Sequence, residues 1–227
     1  MARTVNAAVH AIRRESFVDI AERLIEAKGY DQMSVQDVLD ELDASRGAFY
    51  HYFEAKADLL EAVVERMVDA VTATVTPIVA DPGLSALQKL DGMFAGIARW
   101  KGERTELMLA LLQVWRSDEN ALVREKVRLG ILNHLAPLLA TIIKQGKAEG
   151  QFTAASPDYA ARVLVSLLQS TNEAAVELFF ARQANAISFE TVERTLDAYR
   201  EACDRILGLP DGSLTIANRA ILRQWYG

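Results

Sequence analysis

The chain has 227 residues, a formal net charge of −6 and 51% hydrophobic residues, enough apolar material for one small and one larger folded domain. It has no uncharged apolar run of spanning length, and the N-terminal MARTVNAAVHAIRRES lacks the apolar stretch of a secretory signal; neither a membrane partner nor export is expected. A single cysteine, Cys203, excludes an internal disulfide and fits a reducing cytoplasm, the expected location.

The first helix is expected from about His10 to Lys28, with Phe17, Ile20, Ala21, Leu24 and Ile25 as its apolar stripe. Gly29 stands where a left-handed C-terminal cap belongs. Val35, Val38, Leu39 and Leu42 then recur at i, i+3, i+4 and i+7, one stripe of a second helix. Ser34 caps it, and Asp37 supplies a weaker version of the capping-box acid. Asp43 and Ala44 make a turn, and Ser45 caps a third helix reaching Phe53. Phe49, Tyr52 and Phe53 share its inner face, being three and four apart. Gly47, Ala48, Tyr50 and His51 point the other way, with Arg46 on the flank. The small Gly47 and Ala48 permit close approach to a groove floor. Tyr50 and His51 can donate to phosphates, and Arg46 can reach a phosphate or a guanine edge. Capped helix pairs are common, however, and such a face is equally compatible with plain solvation.

Lys56 opens a fourth helix carrying Leu59, Leu60, Val63, Val64, Met67 and Val68. Thr76-Pro77 and Asp81-Pro82-Gly83 are expected to break it. Helices follow from Leu84 to Trp100, from Glu103 to Trp115, and from Ser117 to about Lys147, the last kinked at Pro137. Ser156-Pro157-Asp158 starts another, running to about Arg182. Ser188 caps one from Phe189 to Leu207, closed by Gly208 and Pro210. In the tail from Ser213 to Gly227, Ile216, Ala220, Ile221 and Trp225 suit one more docked helix. Strand-like alternation is absent, so the expected fold class is all-α.

The stretch Ser-x-Gly-x-Phe-Tyr-x-Tyr-Phe-x-x-Lys from Ser45 to Lys56, with Phe17, Ala21, Gly29, Tyr30, Ser34, Val35, Val38, Leu59 and Leu60, resembles the tetracycline-repressor (TetR) family of bacterial regulators. The resemblance covers about the first 65 residues. Asp43 departs from it, standing where the family usually has a glycine; Asp tolerates the left-handed conformation better than most residues. The resemblance implies an N-terminal helix-turn-helix domain, residues 1–56, and a C-terminal helical ligand-binding and dimerisation domain, residues 57–227. It implies operator DNA, a homodimer and a small apolar or aromatic effector as partners, and a repressor released by that effector. Its DNA-contacting positions match Ser34, Gln36, Ser45, Arg46, Ala48, Tyr50 and His51, with Lys56 as a phosphate clamp. Arg3, His10, Arg13 and Arg14 are candidates for an arm over the DNA backbone.

In the second region, Met93, Phe94, Ile97, Trp100, Met108, Leu111, Leu112, Trp115 and Leu135 match the helices that wrap the family's ligand cavity. Each is equally a plain core residue. Gln113, Asn133, His134, Gln169, Asn172 and Glu173 are candidate buried polar groups, with Asn172 and Glu173 preferred because they interrupt an apolar helix. The helix Tyr159–Phe180 is apolar on more than one side and must be covered twice, by its own core and by a second subunit.

Charge stands against DNA binding, since residues 1–56 hold 7 Lys/Arg and 10 Asp/Glu, a net of −3. The acids concentrate on the first two helices, and Ser45–Phe53 has none, which leaves room for a local basic face. Catalysis, a cofactor and a metal site are not expected: His10, His51 and His134 lack ligand spacing, and no phosphate loop, Gly-x-Ser-x-Gly or CxxC occurs. The alternative function is a helical ligand-binding or protein-docking domain without DNA binding.

Overall fold

A computed structural model of the chain describes residues 2–216 and 219–227, with the side chains of all of these except 2–8 and 116. The expected Arg3 contact and residues 217–218 of the tail therefore lie outside the described residues. The helices are α1 (Ala2–Lys28), α2 (Val35–Leu42), α3 (Arg46–Tyr50), α4 (Lys56–Ala80), α5 (Ala86–Gly102), α6 (Thr105–Arg116), α7 (Ala121–Ala148), α8 (Pro157–Gln183), α9 (Phe189–Leu207) and α10 (Arg219–Tyr226), with a 3₁₀ turn at Asp118–Asn120. The fold is all-α, and no strand occurs among the described residues.

Several element ends differ from expectation. α1 begins well before His10, and α3 ends at Tyr50, with residues 51 and 52 in a turn. Pro77 does not break α4, whereas α7 runs through Pro137 as one helix, as expected. A proline inside a helix costs about 3 kcal/mol or more. Both rings lie on exposed faces of their helices, and burial of the neighbouring Val75 and Val79, and of Ala136 and Leu139, in the core offsets this.

The chain divides into two compact units. The first takes in the residues up to Asp69 together with Arg104–Val127; the second comprises Ala70–Glu103 and Arg128–Gly227. The compact units thus do not follow the 56/57 division, because α6 packs against α1. In unit 1, Phe17, Ile25, Met33, Phe49, Leu59 and Leu60 are fully buried. Burying each such side chain is worth roughly 1.5–3 kcal/mol. The first-helix stripe is buried throughout, whereas in α2 only Val38 and Leu39 are buried and Val35 and Leu42 remain half-exposed.

In unit 2, α4, α5, α7, α8 and α9 enclose a core around Val75, Met93, Leu139, Ile142, Ile143 and Leu164. The helix Asp118–Ala148 is long and apolar enough, by length and composition, to cross a membrane, although no uncharged run of that length occurs in it. Its apolarity has another use in unit 2, where Leu132, Ala136, Leu139, Ala140, Ile142 and Ile143 enter the core. Two buried polar groups tie loops to this core. Lys89 donates to the Val79 carbonyl at 2.7 Å and to Gln145 Oε1 at 2.8 Å. The Asp204 carboxylate accepts from the amides of Gly212 and Leu214 and from Arg200. It thereby fixes the turn after Gly208, whose φ of 73° suits glycine. Cys203 lies beside it, and burial pushes its thiol up to about 12, which keeps it an inert packing group. The tail forms α10, docked through Leu222 and Tyr226 with Trp225 partly buried; Ala220 is exposed.

Candidate nucleic-acid interface

Local chemistry builds the α2–α3 pair. Ser34 accepts from the Asp37 amide at 3.1 Å while its own amide donates to Asp37 Oδ2 at 2.7 Å, a complete capping box. Lys28 joins the same carboxylate at 2.8 Å. The Lys28 ammonium first, then the Ser34 hydroxyl and amide, hold the Asp37 carboxyl well below the usual carboxylate range. α2 ends at Asp43, left-handed with φ 47° and ψ 48°, the conformation that the substitution for glycine implies. Ser45 then caps α3 by accepting from the Ala48 amide at 3.2 Å.

The inner and outer faces of α3 separate cleanly. Phe49 and Phe53 are buried against Phe17, with ring centroids 5.8 and 6.1 Å away. Arg46, Tyr50 and His51 are exposed, Tyr50 at 59%. Ala48 is half-buried beside them. Gln36, exposed on α2, accepts from Arg46 Nη2 at 3.4 Å and donates to Asp40 at 2.7 Å. Gln36 and Arg46 therefore belong to one surface. Ser34 is exposed too, but its hydroxyl already donates to Asp37 at 2.7 Å.

The Lys56 ammonium lies 4.0 Å from the centroid of the buried Tyr30 ring. Burial lowers its pKa, opposed by Asp31 and Asp37. The amides of Glu54 and Ala55 donate to Asp58 at 2.9 Å each. A phosphate at this helix start would therefore meet the ammonium rather than these two amides. From α1, the His10 ring meets His51 edge-on and Tyr52 at a tilt, with ring centroids 5.2 and 4.5 Å apart. The sequence separation of these histidines concealed this contact. Arg13 and Arg14 lie over the Phe17 and Phe53 rings.

Pairing answers the charge objection. Arg66 on α4 bonds Asp19 and Glu22 and pairs with Glu15, while Arg23 pairs with Glu41. Many of the acids of α1 and α2 are thus engaged with cations of the same unit, and the α3 face keeps its own.

Residues 17–63 match the model of the bacterial regulatory proteins of the tetR family. The likeness to the tetR family is thus carried by this N-terminal segment. Family members are transcription regulators rather than enzymes. The HTH-type transcriptional repressor KstR2 of Mycolicibacterium smegmatis is 29% identical over 84 residues, 37% of this chain and 40% of that protein. The Transposon Tn10 TetC protein of Escherichia coli is 34% identical over 79 residues, 34% of this chain and 39% of that protein. These matches span well under two thirds of either relative. The fold as a whole resembles that of RolR in complex with the ligand resorcinol, at 18% identity and a TM-score of 0.64 over 94% of this chain and 96% of that one. NemR of Escherichia coli is also similar, at 21% identity and a TM-score of 0.54 over 87% of this chain and 99% of that one.

The residues expected to line the family's cavity divide between the compact units. Met93, Ile97, Trp100, Asn172 and Glu173 belong to unit 2, and Met108, Leu112 and Trp115 to unit 1. Asn172 and Glu173 are exposed, not buried, as are Gln113, Asn133 and His134. Asn172 lies on the angular position of Val165, but between the two apolar clusters that α8 serves, one ending at Leu168 and the next starting at Ala175. Of the six polar candidates Gln169 alone is buried, 8% exposed. Among the described residues no group of three His, Cys, Asp or Glu side chains converges as metal ligands do.

Proposed function

We propose that the protein is a homodimeric, DNA-binding transcriptional repressor, released from its operator by a small, largely apolar molecule. The observation that carries this reading is the α2–α3 pair. Two capped helices joined through a left-handed Asp43 present Gln36, Arg46, Tyr50 and His51 on one exposed face, the groove-entering arrangement of a helix-turn-helix. Lys56 serves as the phosphate clamp beside it.

The dimer face is assigned to α8. Tyr159 and Val163, one turn apart, are 74% and 54% exposed, and the small Ser166 and Ser170 continue the same stripe. A two-fold dimer supplies two recognition helices at the fixed spacing of a palindromic operator. The likeness to RolR, described with resorcinol, supports a one-ring effector, and Met93, Ile97 and Trp100 offer it adaptable apolar contacts. The continuous helix α4 carries residues of both units and is the element whose position the effector biases. Such coupling is typically about 1–3 kcal/mol and cannot exceed the effector's difference in affinity between the two states.

Mobility shift with fragments from upstream of the protein's own coding sequence, combined with light scattering, tests the reading. Retarded DNA and a dimer at micromolar concentration are expected. A monomer that retards no fragment would overturn it in favour of a docking domain without DNA binding.

A further inference from the structure

Gln169 Oε1 is buried and has no hydrogen-bond partner, the single such side-chain atom among the described residues. Its orientation is fixed, because Nε2 of the same carboxamide donates to the Arg128 carbonyl of α7 at 2.7 Å. A buried acceptor without a donor is left desolvated and uncompensated, so the site favours a ligand that brings one. One turn further along α8, Asn172 accepts from Lys101 Nζ of α5 at 3.1 Å. Residues three apart on a helix are about 5–6 Å apart at Cβ, so Asn172 holds Lys101 on the stretch of α8 that carries Gln169. Lys101 is part-buried and pairs with no carboxylate among the described residues. Loss of hydration lowers its pKa, and an anion beside it would offset that loss. Ile97, one turn before Lys101, and Leu168, next to Gln169, pack at the edge of the unit 2 core.

We propose that Lys101 and Gln169 form the polar end of an effector site that takes an aromatic hydroxy acid. The carboxylate sits on the Lys101 ammonium, the hydroxyl donates to Gln169 Oε1, and the ring lies against Ile97 and Leu168. This inference rests on the effector reading above and narrows it from a small, largely apolar molecule to an amphiphilic acid. A site built to hydrogen-bond a hydroxyl discriminates strongly against the analogue lacking it, whereas an apolar pocket alone does not.

The test is binding of 4-hydroxybenzoate, benzoate, phenol and resorcinol to the full chain, followed by tryptophan fluorescence and calorimetry. 4-Hydroxybenzoate is expected to bind at least about tenfold more tightly than benzoate or phenol, the scale of a hydrogen bond to a charged or buried group. Gln169→Leu should bring 4-hydroxybenzoate down to the level of benzoate, and Lys101→Met should bring it down to the level of phenol. Gln169→Leu keeps the side-chain volume and removes the orphaned acceptor but also gives up the bond to the Arg128 carbonyl, so a melt run alongside verifies that both variants fold. Phenol or resorcinol binding as well as 4-hydroxybenzoate, with affinities unmoved by both substitutions, would overturn the inference and leave the effector reading intact. Failure of all four probes to bind would overturn it as well. The effector reading would then be judged separately, by whether neutral lipophilic compounds release the DNA.

Discussion

The Lys56 ammonium sits over the ring of Tyr30, 4.0 Å from its centroid, so a residue twenty-six positions upstream aims the cation that opens α4. A cation over an aromatic face gains about 0.5–1 kcal/mol where exposed, and the buried ring does not move. Lys56→Ala should weaken operator binding and flatten the salt slope by about one. Tyr30→Leu should weaken binding a few-fold with the slope retained, and Tyr30→Phe should behave as wild type. Titrations at several salt concentrations check all three.

Arg46 is held to Gln36 by a hydrogen bond of 3.4 Å across the turn. That contact lets α2 orient the side chain best placed to read a base. Arg46→Ala should relax base preference at one operator position, by about 1–3 kcal/mol if it pairs with a guanine edge. Gln36→Ala should have a smaller effect at the same position. Binding selections with randomised operators measure this, and unchanged preference in both variants would remove Arg46 from base reading. Tyr50→Phe should weaken affinity uniformly across sequences, as loss of a phosphate contact does.

Asp37 makes the stability of unit 1 acid-sensitive. Its carboxyl is held well below the usual range by Lys28 and Ser34, so the folded state favours the charged form. That stabilisation is fully present above the unfolded value of about 3.9 and is lost as pH falls through the depressed folded value. Asp37→Asn should therefore be less stable than wild type at pH 7. The difference should shrink on acidification below about pH 4, as followed by denaturant melts.

Lys89 is 5% exposed and holds the Val79 carbonyl near the end of α4. Lys89→Ala leaves that carbonyl and Gln145 without their donor and should cost about 2–4 kcal/mol, the sum of a lost charged hydrogen bond and a cavity. Lys89→Met refills the volume and should recover part of the loss. Circular-dichroism melts of the two variants separate the packing contribution from the polar one.

Local rules were enough to place most of the DNA-facing elements. The caps at Ser34 and Ser45, the left-handed Asp43 and Gly29, and the inward Phe49 and Phe53 all follow from interactions within a few residues. Helix periodicity, however, reports direction around an axis and not what lies there. Asn172 and Glu173 broke an apolar pattern and so read as buried, yet they fall between two cores; Gln169, one turn earlier, is the polar group that the packing encloses.

By itself, the sequence determined the all-α class, the order of the helices and the exposed face of α3, because caps, turns and apolar spacing act over short range. Only the tertiary structure decided that α4 runs through Pro77, since the compensating burial comes from other helices. It alone set Lys56 on Tyr30, His10 against His51, and Arg66 among the acids of α1. Each of these joins residues far apart in the chain, and their partners are fixed by packing of whole helices rather than by any local preference.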